Sequence, residues 1–134
     1  MNQSYATCIP AAIFALAILP ALADSPQLPT TAKHLTGKEI AALYDGLTVH
    51  WTNYTMGKPA TGTDTYEFKT KTQSGSYQVG DTKGTFQGKL RVKGDLFCHQ
   101  EEKGKEKCSS VYIDGNTIYE TNSKGAVESM NVKQ

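Results

Sequence analysis

From Leu47 onward the chain alternates apolar and polar residues with period two, broken every few residues by glycine, asparagine or aspartate. A stretch so patterned builds β-strands and turns, and little else. Leu47, Val49 and Trp51 share one face of a first strand, with Thr48, His50 and Thr52 on the other. Tyr66 and Phe68 oppose Thr65, Glu67 and Lys69 in a second, and Tyr77 and Val79 mark a third. The longest runs from Gly84 to Lys93, where Phe86, Leu90 and Val92 point one way and Lys89, Arg91 and Lys93 the other. Turn signals follow at Lys93-Gly94-Asp95, Asp114-Gly115-Asn116 and Asn122-Ser123-Lys124-Gly125. Connections this short make neighbouring strands antiparallel, which predicts a mainly β fold: a meander of about seven or eight short strands. Each strand has one face to bury, so the meander closes into a small barrel or curls into a strongly curved sheet. The segment Asn53 to Thr63, with Met56-Gly57-Lys58-Pro59, reads as a mobile lip at the mouth of such a barrel.

One short N-terminal helix precedes the strands. Thr36-Gly37-Lys38-Glu39 matches a capping box, Ile40, Leu43 and Tyr44 follow at helical spacing, and Gly46 supplies a left-handed stop. A helix of about ten residues is unstable alone, so it must dock through Ile40, Leu43 and Tyr44. Residues 36–134 therefore form a single β-rich domain, and 24–35, with Pro26 and Pro29, an extended leader to it.

The first 23 residues differ in kind. Seventeen are hydrophobic, and all 14 Lys and Arg and all 13 Asp and Glu lie beyond them. An apolar run from Ile9 to Leu22, a helix-breaking Pro20 and the small residues of Ala21-Leu22-Ala23 read as a signal peptide cut near Ala23. The product is expected in the periplasm or secreted, with no stable membrane span in the mature chain. Two cysteines then remain, Cys98 and Cys108, with a charged stretch around Gly104 between them. In a small exported domain that pair reads as one disulfide across a hairpin. A net charge of +1 argues against a nucleic-acid partner.

The order of landmarks, a helix, then Leu43-Tyr44-Asp45-Gly46-Leu47-Thr48, a Trp-bearing strand, and later Gly94-Asp95-Leu96-Phe97-Cys98 with a second cysteine, resembles a family of small exported alphaproteobacterial proteins of unknown function. The resemblance spans about Leu35 to Val132. The Gly-x-Trp that opens the family's long strand stands here as Gly84-Thr85-Phe86 or Gly88-Lys89-Leu90. It implies a periplasmic address and a β-rich fold, and it brings no catalytic residue.

Motifs for nucleophilic, nucleotide-binding or zinc-dependent chemistry are missing: no G-x-S-x-G, no P-loop, no H-E-x-x-H. No catalytic residue and no cofactor is assigned. His50 and His99 are weak metal candidates that would need a carboxylate such as Asp95 or Glu101 beside them. Trp51, Tyr54, Tyr66, Phe68, Tyr77 and Phe86 either fill the barrel, as is expected of about eight strands, or line a ligand cavity. Lys89, Arg91 and Lys93 form a basic stripe, a solvated face that can also dock an acidic partner. The expectation is a non-catalytic periplasmic binding or accessory module acting on a protein partner or a small apolar ligand. One alternative is an inhibitor of a foreign enzyme such as lysozyme, working through the charged tip from Gln100 to Lys107. The other is a metal-dependent or hydrolytic enzyme using His50 and His99.

Overall fold

The computed structural model describes residues 25–134, so the expected signal peptide and its cut near Ala23 lie outside the described residues. After the extended leader come β1 (Lys33–His34) and α1 (Gly37–Tyr44). Eight antiparallel strands follow: β2 (Thr48–Asn53), β3 (Ala60–Glu67), β4 (Thr72–Val79), β5 (Thr82–Lys93), β6 (Leu96–Glu101), β7 (Lys107–Asp114), β8 (Thr117–Thr121) and β9 (Val127–Lys133). Each pairs with its chain neighbour, and β9 pairs with both β8 and β2. That last pairing closes the ring and decides between the two expected shapes. The fold is an eight-stranded barrel with no free edge among its long strands.

The leader takes part in the fold at its end. Lys33 and His34 pair with Ile113 and Tyr112, along the half of β7 that β6 does not cover. His34 stacks on the Tyr112 ring at 4.7 Å, and Leu35 is buried in the core. Among the described residues no helix is long and apolar enough to cross a membrane.

Helix α1 begins as the sequence predicts. Thr36 Oγ1 accepts from the Glu39 amide at 3.3 Å, and Glu39 Oε2 accepts from the Thr36 amide at 2.9 Å. Lys33 Nζ reaches Glu39 Oε1 at 2.5 Å, and with the cap hydrogen bond it holds the Glu39 carboxyl down at about 2. The helix lies across the end of the barrel where β5 turns into β6. There Asp95 Oδ1 accepts from the Gly37 amide at 2.7 Å, and a Cβ at Gly37 would sit 2.0 Å from the Gly94 carbonyl oxygen. Ile40 and Tyr44 are fully buried and plug this closed end. Tyr44 stacks on Phe97 at 4.4 Å, and Tyr66 meets both rings edge-on. Val49, Leu90, Val111 and Ile118 complete the packed layer.

The opposite end is the mouth. It is formed by the β2–β3, β4–β5, β6–β7 and β8–β9 connections. The lip expected over Asn53 to Thr63 is shorter than the sequence suggested. Strand β3 already starts at Ala60, so residues 54–59 alone are irregular. Gly62, which looked like loop composition, is a strand residue. Cys98 and Cys108 face each other across β6 and β7 and form the disulfide.

Candidate functional site

Alternation along each strand decides which side chains enter the barrel, and several of those inward positions are glycine. Trp51 stands opposite Gly62, Phe86 opposite Gly75, Tyr77 opposite Gly84 and Gln73 opposite Gly88. The rings lie over the bare backbone that faces them. A Cβ added at Gly62 would come within 2.6 Å of Trp51 Cζ2, at Gly75 within 2.9 Å of Phe86 Cζ, and at Gly84 within 2.6 Å of the Tyr77 ring. Rings set against the wall in this way do not fill the axis. The closed half of the barrel is packed and the mouth half is hollow, with a cavity of about 520 Å³. That volume lies within the usual range for small-molecule sites.

Trp51, Tyr77 and Phe86 make the aromatic wall, with Trp51 and Phe86 edge to face at 6.3 Å. The floor is Tyr66 and Phe97 together with polar side chains: Asp64, Gln73, Ser109, Glu120 and Asn131. Met56, Val79, Glu101, Lys107 and Glu128 stand nearer the rim. Glu120 is held by the closed end. Its Oε1 accepts from the Tyr44 hydroxyl at 2.8 Å and from Asn131 Nδ2 at 3.1 Å, and Ser129 Oγ donates to Asn131 Oδ1 at 3.2 Å. This network satisfies a buried carboxylate and fixes the helix to the floor.

Asp64 is treated differently. It is 6% exposed, and its Oδ1 has no hydrogen-bond partner among the described residues. Burial, with the Glu120 charge added, pushes its carboxyl up to about 8, so at neutral pH it carries a proton for most of the time. Burial and the same neighbour raise Tyr44 and Tyr66 well above the usual phenol range. Trp51 Nε1 is a second buried polar atom of the cavity wall with no partner among the described residues. At the rim, Lys107 Nζ lies 2.6 Å from Glu128 Oε2.

Four of the six aromatic candidates, Trp51, Tyr66, Tyr77 and Phe86, line the cavity. The other two do not. Tyr54 follows the end of β2 and its amide is tied to the Glu128 carbonyl. Phe68 lies in the turn after β3, at the closed end, where it packs on the core. Lys89, Arg91 and Lys93 are on the outer wall of β5. Arg91 is engaged in a two-point pair with Glu106, Nε to Oε2 at 2.7 Å and Nη2 to Oε1 at 2.5 Å. His50 and His99 are not brought together. His99 is on the cavity lining, stacked near Phe97, whereas His50 is exposed on the outer face with Gln134 at 2.7 Å. The one His, Cys, Asp and Glu grouping with metal-like spacing among the described residues is Cys98, Cys108 and Glu106. Its two sulfurs are bonded to each other and offer no thiolate.

The polar floor was not anticipated, although the alternation contains it. Asp64 falls in phase with Gly62 and Tyr66, Glu120 with Ile118, and Asn131 with Ser129. Polarity alone, without the partners that other elements supply, does not mark them as inward.

No curated protein and no solved structure matches the chain significantly. Residues 11–127 match the profile of a protein family, and across that span the chain belongs to DUF995, a family of proteins of unknown function.

Proposed function

We propose that this protein is a non-catalytic binding module of the periplasm or the secreted space, and that it takes a small, largely apolar ligand through the barrel mouth. The observation that carries this is the hollow mouth half: about 520 Å³ walled by Trp51, Tyr77 and Phe86 above a floor that includes Phe97. Eight strands are enough to hold one small ligand when the interior side chains leave room. The disulfide suits an oxidising compartment, and the apolar run from Ile9 to Leu22 suits export. Docking through the outer wall ranks below this reading, because Arg91 is committed to Glu106 and the stripe is reduced to Lys89 and Lys93. An enzyme built on His50 and His99 ranks below it too, because the barrel wall lies between those side chains.

Trp51 is the sole tryptophan of the chain, so its fluorescence reports on the cavity alone. Titration with the neutral dye N-phenyl-1-naphthylamine should give saturable energy transfer from Trp51 at one dye per chain. Transfer that never saturates, or that a reduced and unfolded sample reproduces, refutes a binding cavity.

A further inference from the structure

We propose that the cavity selects organic cations, namely amphipathic primary amines whose ammonium group enters towards Asp64 and whose apolar tail lies along the aromatic wall towards the mouth. The proposal rests on the cavity reading above and adds the class of ligand.

Charge is the first argument. The cavity lining has four carboxyls, Asp64, Glu101, Glu120 and Glu128, against one lysine. That lysine, Lys107, is already within 2.6 Å of Glu128. Asp64, Glu101 and Glu120 have no basic partner among the described residues. An anionic head group would meet the uncompensated Glu101 and Glu120 there, whereas a cation offsets them.

Hydrogen-bonding capacity is the second. Glu120 Oε1 is already served by Tyr44 and Asn131, but Asp64 Oδ1 is buried on the cavity floor with no donor. An ammonium N–H supplies one. Asp64 holds its own proton up to about 8, and a bound cation would take that proton's place beside Glu120.

The aromatic surroundings are the third. In register, Asp64 stands opposite Gly75, the residue over which Phe86 lies, and Trp51 stands opposite Gly62, two places before Asp64 on the same strand. Aromatic rings lining a site beside a carboxyl can hold a cation against their faces through the ring quadrupole, more strongly out of water. Val79 and Met56, nearer the rim, leave an apolar path for a tail.

The test is calorimetric titration of the oxidised protein with three probes of equal chain length: octylammonium, octanol and octanoate. Octylammonium is expected to bind about tenfold or more tightly than the other two, the worth of one charge-assisted contact. Asp64→Asn, which preserves shape, should remove that preference and leave octanol binding as it was. Glu101→Gln, at an exposed rim position, should weaken octylammonium selectively and serves if Asp64→Asn does not fold. Equal binding of all three probes, or tighter octanoate, overturns the cation assignment and leaves the cavity reading standing. A cation preference unchanged in both variants overturns the role given to these carboxyls. Failure of all three probes to bind overturns both readings.

Discussion

At the scale of single residues, the interior is governed by what stands opposite what. Gly62 is the sharpest case: a Cβ there would lie 1.8 Å from the Ser76 carbonyl oxygen and 2.6 Å from Trp51. Gly62→Ala should therefore lower stability by more than about 2 kcal/mol in urea denaturation, since the Ser76 backbone across the ladder has no room to yield. A loss within experimental error would mean that β3 and β4 part easily. Asp64 is the second case, and its effect has a sign. Its pKa is about 8 folded and close to the ordinary 3.8 unfolded. Between those values the folded chain binds more protons than the unfolded one, so this residue's contribution is complete below about pH 4 and is lost as pH rises to about 8. Asp64→Asn carries no such titration. The stability advantage of Asp64→Asn over the parent should widen steadily from about pH 5 to about pH 8, reaching a few kcal/mol. Parallel stability curves for the two proteins would show that Asp64 is solvated in the native state.

At the scale of elements, the strands and turns were largely legible, and the reason is mechanical. Period two is the geometry of a strand, and Gly94, Gly115 and Gly125, with φ of +59°, +58° and +80°, sit in the turns where their sequence signals put them. Thr36 and Glu39 formed the predicted cap because a capping box needs only residues three apart. What local pattern could not show was the use of glycine within strands. Gly62 next to Thr61 and Thr63 resembles a loop, and its role depends on Trp51 across the ladder, eleven places back in the chain. Nor could polarity alone place Asp64 or Glu120, since an inward acid is satisfied only by partners from other elements, Tyr44 of the helix for Glu120. The disulfide was legible because the spacing of Cys98 and Cys108 across a hairpin and the expectation of export both favoured it. Closing a loop of this length constrains the unfolded chain by about 2–3 kcal/mol. Replacing both Cys98 and Cys108 with serine should lower stability by that amount, measured by chemical denaturation, with the barrel circular dichroism spectrum retained. A double variant that no longer folds would make the pair a requirement of the barrel, beyond a restraint on the unfolded chain.

At the scale of the whole molecule, the barrel divides into a half that holds the fold together and a half left open. Tyr44, Tyr66 and Phe97 interlock under the helix with Ile40, Val49, Val111 and Ile118, all buried. Trp51, Tyr77 and Phe86 are only partly buried, lying against glycines at the mouth. Aromatic residues that look alike in the sequence should therefore respond differently to truncation. Phe97→Ala removes a fully buried ring from the packed layer and should cost about 3–5 kcal/mol. Tyr77→Ala removes a ring that already borders open space, so little new cavity is created and the loss should stay near about 1 kcal/mol. The same Tyr77 change strips one side of the aromatic wall and should weaken N-phenyl-1-naphthylamine binding, which Phe97→Ala, where it folds, would affect only through the floor. Denaturation midpoints and dye titrations on the two variants separate these effects. Equal stability losses would mean that the mouth half is packed as tightly as the closed half, and the division between a structural end and a binding end would fall with it.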